Sequence, residues 1–129
     1  MPTIKRFEEL EIWQAAKEFA VEIYKVTDPK TFKGDHSLRD QIRRASVSIM
    51  ANIAEGFDRN TKKEFINFLA YSLSSASEVK SHLYLIRELG YLNSEISETL
   101  LNKATAISQR TTKLIKYLRS DSRKRGTTK

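Results

Sequence analysis

The sequence predicts an all-α protein, an antiparallel up-down-up-down four-helix bundle. Apolar residues recur at alternating intervals of three and four in four long stretches, which is the spacing of one face of an α-helix. The chain of 129 residues contains only four glycines and two prolines, too few turn formers for a β-sheet protein of this size. The connections between the stretches are mostly short, as in bundles whose neighbouring helices are antiparallel.

Composition indicates the extent of the folded domain and the cellular compartment of the protein. We expect residues 1–120 to form one bundle and residues 121–129 a basic, disordered tail, because the last ten residues contain nothing apolar to bury. The chain has no cysteine, which excludes disulfides and cysteine–zinc sites. Acidic residues stand where a signal peptide needs an apolar run, and no apolar stretch approaches the length that spans a bilayer. We therefore expect a cytoplasmic protein.

The first helix is predicted over residues 7–27. Its inward stripe comprises Ile12, Ala16, Phe19, Ile23 and Val26, widened by Trp13, Ala20 and Tyr24. A stripe this wide indicates either a thick core contact or a second interface with another chain. The helix ends at Asp28, because a residue before proline is pushed out of the α region. Residues 30–36 then form a loop, with Gly34 as its flexible point.

The second helix, over residues 37–56, is the element around which we expect the chain to be organised. Ser37 is its predicted N-cap, Asp40 completes an approximate capping box, and Gly56 closes it. Its apolar residues form two seams, Ile42, Ala45, Ile49 and Ile53 in the first and Val47, Met50 and Ala54 in the second. A surface helix of a small protein needs only one seam, so this pattern predicts packing on two sides.

The third helix is predicted over residues 61–90, from a Thr-x-x-Glu capping box at its start to Gly90 at its end. Its inward seam comprises Phe65, Leu69, Ser72, Ala76, Val79, Leu83 and Ile86. The small residues Ser72 and Ala76 predict that another helix backbone approaches closely there, with residues 45–49 as the candidate.

The fourth helix is predicted to begin near Asn93 or Ser94. Its inward seam comprises Leu100, Ala104, Ile107, Thr111, Leu114 and Leu118, with Leu101 and Ile115 alongside. Its cationic side chains project from the other face.

The positive charge is concentrated at the carboxyl terminus. The formal net charge is +7, yet residues 1–109 hold fifteen cations and fifteen acids, so the whole excess lies in residues 110–129. Such a run is typical of a phosphate-binding arm, and also of a solvated tail that keeps a protein soluble, which composition alone slightly favours. The first candidates for phosphate contact are Arg119, Arg123, Lys124 and Arg125.

A second basic group lies on helix 2 and its turn into helix 3. It consists of Arg39, Arg43, Arg44, Arg59, Lys62 and Lys63. Arg39, Arg43 and Arg59 are further candidates for nucleic-acid contact, and the first two, one helical turn apart, can share a phosphate strand. Three acidic residues lie among these cations, so intramolecular salt bridges are an equally supported interpretation.

Aromatic residues near these groups offer a second kind of contact. Tyr71, Tyr84, Tyr91 and Phe57 have planar faces on which nucleic-acid bases could stack. At helical spacing such residues more often pack against their own protein, and we favour packing.

Polar side chains predict a network between helices 2 and 3. Asn52 and Glu55 lie close on helix 2, and Ser75 and Glu78 have the same interval on helix 3. Paired carboxylates can serve acid–base chemistry. We favour the alternative, in which they accept hydrogen bonds from neighbouring Arg, Asn and Ser residues at a helix or subunit interface. This structural network comprises Arg44, Asn52, Glu55, Ser75 and Glu78.

The sequence contains few residue patterns typical of an enzyme active site. His82 follows Glu78 by four residues, whereas a di-iron bundle uses Glu-x-x-His from two helices. There is no glycine-rich phosphate loop and no signature of a histidine-activated serine. We therefore expect no catalytic activity, metal ion or cofactor.

Three segments of helix 2 resemble the signature of the 23S rRNA intervening-sequence protein family, which are small four-helix-bundle proteins. They are Leu38-x-x-Gln41-Ile42-Arg43-Arg44-Ala45, Val47-Ser48-Ile49 and Asn52-Ile53-Ala54-Glu55-Gly56. Further likeness lies at the opening Phe7-x-x-Leu10-x-x-Trp13-x-x-Ala16 and at Phe65, Phe68-Leu69, Ser75, Glu78 and Glu88-Leu89-Gly90-Tyr91. The resemblance covers about residues 7–118.

The resemblance implies a homopentamer whose subunits surround a fivefold axis. The family is similar to the accessory variability proteins of diversity-generating retroelements, which bind nucleic acid and a reverse transcriptase through a basic outer surface. We therefore expect a non-enzymatic oligomer that binds RNA or DNA phosphates with little sequence preference. The alternative is a protein-interaction scaffold that docks a partner enzyme such as a reverse transcriptase.

Overall fold

The computed structural model describes residues 3–125, with side chains through residue 121. It contains four α-helices, α1 (Glu11–Val26), α2 (His36–Phe57), α3 (Lys62–Glu88) and α4 (Ser94–Arg125). A single 3-10 turn, Phe7–Glu9, precedes α1, and no β-strand occurs between residues 3 and 125. The predicted all-α class and the four helices are confirmed.

The first helix begins later than the sequence predicts. Phe7–Glu9 forms an isolated 3-10 turn, and Leu10 then adopts an extended conformation (φ −73°, ψ 128°) that separates this turn from α1. The Leu10 side chain is buried, and the Phe7 ring packs edge-on against Trp13 with 5.2 Å between ring centroids. The break therefore folds the amino-terminal segment back onto the core.

The N-cap of α2 is Asp35, and the prediction of Ser37 is wrong. The Asp35 carboxylate accepts a hydrogen bond from the backbone N–H of Leu38 at 3.1 Å and stabilises the first turn. Ser37 lies inside that turn, where its hydroxyl accepts a hydrogen bond from Gln41 at 3.0 Å. Both residue types are good caps, and the path of the preceding loop places Asp35 at the helix boundary.

The loop between α1 and α2 closes one end of the bundle. Phe32 is fully buried although it lies outside the helices, and its ring is 5.0 Å from that of Tyr91. The Tyr91 hydroxyl donates a hydrogen bond to the Asp35 carboxylate at 3.2 Å. Burial, and then this hydrogen bond to a carboxylate, raise the pKa of Tyr91 above its usual value.

Small residues let α2 and α3 pack closely. The Ser72 hydroxyl donates a hydrogen bond to the backbone carbonyl of Ile49 at 2.9 Å, which requires the two helix backbones to be near each other. One turn away on α3, the Ser75 hydroxyl donates to the Ser48 hydroxyl at 2.9 Å. The predicted approach between the small centre of helix 3 and residues 45–49 is confirmed.

Gly56 extends this close packing toward the end of α2. A Cβ at this position would lie 2.7 Å from the Phe68 Cβ and 3.2 Å from the Phe65 carbonyl oxygen, well inside van der Waals contact. The pairs Ser48–Ser75 and Gly56–Phe68 occur in opposite order along α2 and α3. Gly56 lies within the helix rather than just after it, so its role is steric and not that of a left-handed turn residue.

Both predicted ends of helix 3 are confirmed. At its start, the Thr61 hydroxyl accepts a hydrogen bond from the backbone N–H of Glu64 at 3.1 Å. At its end, Gly90 has φ +77°, and the N–H groups of Gly90 and Tyr91 donate to the carbonyls of Arg87 and Ile86 at 3.0 and 3.1 Å. This paired closure needs a left-handed residue, which glycine provides without strain.

α4 is joined to its two neighbours by ion pairs. Lys103 lies 2.6 Å from Glu22 on α1, and Lys62 at the start of α3 pairs with Asp121. The α4 backbone is helical through Arg125, beyond the predicted boundary at residue 120. Residues 126–129 lie outside the described residues, so the disorder of the tail stays a prediction.

The core consists mainly of the predicted inward seams. The first seam of α2 is buried along its whole length, whereas Val47 of the second seam is exposed and Met50 and Ala54 are half-buried. The second side of α2 is therefore only partly covered within one chain. Between residues 3 and 125, no helix combines the length and apolar character needed to cross a membrane.

We predict that Gly56→Ala lowers the free energy of unfolding by about 1–3 kcal/mol, because the added methyl group overpacks the α2–α3 contact. Helix propensity alone predicts the opposite sign, a gain of about 1 kcal/mol for alanine over glycine. Urea denaturation measures the difference. The control, Ala51→Gly at an exposed position of α2, reports the propensity effect by itself. A Gly56→Ala protein more stable than the wild type would contradict the close approach.

Candidate nucleic-acid interface

One end of the bundle brings together cations from the α2–α3 connection, α3 and α4. The ion pair between Lys62 and Asp121 places the last turns of α4 beside the connection that follows α2. We call this surface the basic end, and it comprises Arg59, Lys62, Lys63, Lys116 and Arg119. Two of the predicted contact residues, Arg59 and Arg119, thus lie at the same end of the molecule.

The unpaired charge of the basic end lies mainly on α4. Arg59 is 2.7 Å from the Glu55 carboxylate, and Lys62 is paired, so part of their charge is offset within the chain. Lys116 and Arg119 have exposed side chains and form no ion pair with another residue of the described part. Sequence reasoning named only Arg119, although the interval of three residues indicated that Lys116 lies on a neighbouring part of the helix surface.

Three predicted contact residues follow directly on the same helix. Arg123, Lys124 and Arg125 have helical backbone, but their side chains lie outside the described residues. Their contact with nucleic acid therefore stays a prediction.

Arg39 and Arg43 lie toward the opposite end of α2, about 27 and 21 Å along the axis from Phe57, the last residue of this helix, at ~1.5 Å per residue. The Arg39 side chain is mostly buried, and its Nε lies 3.5 Å from the Asp40 carboxylate. The structure does not bring these two predicted residues to the basic end. A contact between them and nucleic acid, still a prediction, would need a second site.

Arg43 binds the carboxyl end of α1. Its guanidinium donates hydrogen bonds to the Thr27 hydroxyl at 2.8 Å and to the carbonyls of Tyr24 and Thr27 at 3.1 and 3.2 Å. The same group lies over the Tyr24 ring, 4.4 Å from its centroid. The last carbonyls of a helix lack intrahelical partners and have partial negative charge, so a cation is stabilised there. These contacts give Arg43 a role in the fold.

The structure assembles part of the predicted polar network. Asn52 donates hydrogen bonds to the Ser48 carbonyl at 2.9 Å and to the Ser48 hydroxyl at 3.0 Å, and Ser75 donates to the same hydroxyl. Asn52 and Ser75 are therefore joined through Ser48, a central residue that the predicted network omitted.

The other predicted members of the network lie elsewhere. Glu55 pairs with Arg59, which lies four residues later, just beyond the end of α2. Glu78 lies 3.4 Å from Nε2 of His82, one turn further along α3. Arg44 is exposed. Within the described residues, the Glu55 carboxylate accepts a hydrogen bond from Arg59 at i+4, and the exposed Glu78 carboxylate faces His82 at i+4 without a hydrogen bond. Among residues 3–121, no three His, Asp or Glu side chains are grouped so that they could hold a metal ion.

The aromatic candidates divide into two kinds. Phe57 and Tyr91 are half-buried and pack against other rings of the core. Tyr71 and Tyr84 have more than half of their surface exposed, 56% and 55%. Tyr117 on α4 is 62% exposed and was missed, although Lys116 precedes it and Arg119 follows two residues later.

We predict that Arg43→Gln lowers the free energy of unfolding by about 1.5–3 kcal/mol, the range for hydrogen bonds to a charged group. The neighbouring exposed Arg44→Gln is the matched control and should change stability by less than about 0.5 kcal/mol. Urea denaturation of both variants measures the difference. Equal losses would show that Arg43 contributes only its charge.

Comparison with known proteins relates this bundle to others. Residues 8–113 match the family described as 23S rRNA-intervening sequence protein. A solved structure from Bacteroides thetaiotaomicron, described as a protein with unknown function from the S23 ribosomal protein family, is 30% identical, with a TM-score of 0.74. The alignment covers 81% of this chain and 98% of that chain. No curated protein matches the chain.

The matched region includes the whole of α1, α2 and α3 and most of α4, so the likeness is that of the bundle itself. It ends at residue 113, before Lys116 and Arg119. Because the family match spans most of the sequence and a solved structure agrees with it, the chain belongs to the 23S rRNA-intervening sequence protein family.

Proposed function

We propose that this protein is a non-enzymatic, oligomeric nucleic-acid-binding protein that contacts the phosphate backbone of RNA or DNA with little sequence preference. The observation that carries the proposal is the basic end, where exposed cations of α4 lie beside the connection between α2 and α3. Contacts to phosphate position a protein on nucleic acid but do not distinguish one sequence from another.

The distribution of charge favours a polyanionic ligand. The whole surplus of +7 lies in residues 110–129, and the rest of the chain is balanced. Lys113, Lys116 and Arg119 are exposed at successive intervals of three residues, so they form a basic stripe along the last turns of α4. A surplus that served solubility alone would not need to be confined to one end.

We further propose that the antiparallel up-down-up-down subunit assembles as a homopentamer through the uncovered side of α2. Val47 faces a groove that also includes Val21 and Tyr24 of α1, and these three side chains are 38%, 46% and 44% exposed. Covering such an apolar groove with another subunit would stabilise the assembly. Five basic ends would then act on one polyanion, and contacts that are weak singly would gain from effective concentration.

An interaction scaffold is the alternative proposal. The same groove favours it, because an exposed apolar groove can accept a partner protein, such as a reverse transcriptase, as well as a second copy. The two proposals differ in the role of the carboxyl-terminal cations. Nucleic-acid binding requires these cations, whereas docking of a partner in the groove does not.

We predict that replacing Arg123, Lys124 and Arg125 by glutamine weakens binding to a short DNA duplex and flattens its salt dependence. Each lost phosphate contact should reduce the slope of log affinity against log salt concentration by about 0.9. Fluorescence anisotropy between about 50 and 200 mM salt measures both quantities.

The matched control for this charge change is a variant with Lys25, Lys30 and Lys33 replaced by glutamine. It removes the same formal charge from exposed positions at the opposite end of the bundle, and its slope should equal that of the wild type. If both variants flatten the slope equally, net charge rather than these carboxyl-terminal cations governs binding. Tight binding to one sequence without any salt dependence would contradict the proposal itself.

We predict a solution mass about five times the chain mass of 14.9 kDa. Light scattering or native mass spectrometry measures it. Val47→Asp places a charge in the α1–α2 groove and should yield monomers with unchanged helical circular dichroism, whereas Ser74→Asp on the exposed face of α3 should not. A monomeric wild type would contradict the proposed assembly.

A further inference from the structure

We propose that Tyr71 stacks on an unpaired base, so that the preferred ligand of this protein is single-stranded nucleic acid. This inference rests on the proposed function and adds to it the strandedness of the ligand. It is carried by a group that we call the aromatic cluster, Arg59, Phe68 and Tyr71, on the surface where α2 and α3 meet.

The aromatic cluster joins a cation to two rings. The Arg59 guanidinium lies over the Phe68 ring, 4.7 Å from its centroid. The rings of Phe68 and Tyr71 are 5.4 Å apart and nearly perpendicular, at 85°. Phe68 is half-buried, whereas Tyr71 is 56% exposed. A perpendicular contact covers at most one face of the Tyr71 ring, and the exposed remainder is a surface on which a base can stack.

Two residues at the end of α2 hold the aromatic cluster in place. Gly56 lacks a Cβ, so Phe68 comes closer to α2 than any other residue at position 56 would allow. Glu55 pairs with Arg59 at 2.7 Å and keeps the guanidinium over the Phe68 ring. Tyr71 is thereby supported by a fixed neighbour, and a preorganised ring loses less conformational entropy on binding than a free one.

The geometry favours single strands because of what each ligand exposes. In a duplex the faces of the bases are stacked on one another, and only their edges reach the grooves. An aromatic side chain therefore stacks on a base that is unpaired. Such stacking tolerates any sequence, since every base has a π-face.

The aromatic cluster lies close enough to the basic end to share a ligand with it. Tyr71 follows Lys63 by eight residues, about 12 Å along α3. Arg59 belongs to both groups, at the boundary between them. Phosphates held at the basic end would thus place adjacent bases within reach of Tyr71.

Tyr84 provides the matched comparison on the same helix. It is 55% exposed, and the Arg87 guanidinium lies 5.2 Å from its ring centroid. It therefore has similar exposure and a neighbouring cation. It lies thirteen residues further along α3, about 20 Å from Tyr71 and away from the basic end.

The experiment compares Tyr71→Ala and Tyr84→Ala in the full-length protein. Anisotropy is measured with a labelled oligothymidine strand and with a DNA duplex of equal length. Tyr71→Ala should weaken single-strand binding roughly 5- to 150-fold, the range expected for one lost stack, and leave duplex binding unchanged. Tyr84→Ala should change neither. Tyr71→Phe should bind as the wild type does, because it keeps the ring.

Tyr71→Leu guards against a purely structural effect, since it keeps an apolar contact with Phe68 but has no aromatic face. It should lose single-strand affinity as the alanine variant does, with an unchanged solution mass and circular dichroism. Retention of affinity by Tyr71→Leu, or equal losses in both tyrosine-to-alanine variants, would overturn the inference.

The same measurements separate the inference from the proposed function. A wild-type protein that binds the duplex in a salt-dependent way but prefers it over the single strand would overturn the inference alone. A wild-type protein that binds neither ligand at low salt would overturn the proposed function, and the inference with it.

Discussion

The rest of the structure depends on the close approach of α2 and α3. The hydrogen bond from the Ser72 hydroxyl to the Ile49 carbonyl joins the two helices at this approach. A fully buried hydroxyl needs a partner, and here the partner is the backbone of the facing helix. Larger side chains at this interface would hold the helices apart. Gly56 extends the same approach to the end of α2 and so determines where Phe68, and the side chains beside it, lie.

The cations of this chain differ in what surrounds them. Arg43 meets the last carbonyls of α1 and a tyrosine ring, and its charge stabilises a helix end. Arg59 and Lys62 meet carboxylates, while Lys116 and Arg119 extend from α4 without an ion pair to the described part of the chain. Because a cation without a local partner is available to a ligand, the last turns of α4 carry the proposed phosphate contact.

Of the two parts of the proposed interface, only one lies within the region that matches the family. The aromatic cluster lies within the matched region of residues 8–113, whereas Lys116 and Arg119 follow it. The bundle and the residues that position the cluster, including Glu55 and Gly56, thus belong to the part that the chain shares with its family. The charge surplus belongs mostly to the carboxyl-terminal segment beyond that part.

The sequence by itself determined the four helices, their inward seams and both ends of α3, because these depend on helical periodicity and on local capping preferences. The resemblance of its second helix was enough to identify the family. Only the tertiary structure showed that Asp35 rather than Ser37 caps α2, that Phe32 is buried within a loop, that Arg43 binds the end of α1 and that Arg59 lies over the Phe68 ring. These outcomes depend on distances between residues that are far apart in the chain. Helix packing sets those distances, and the spacing of residues along one helix does not predict them.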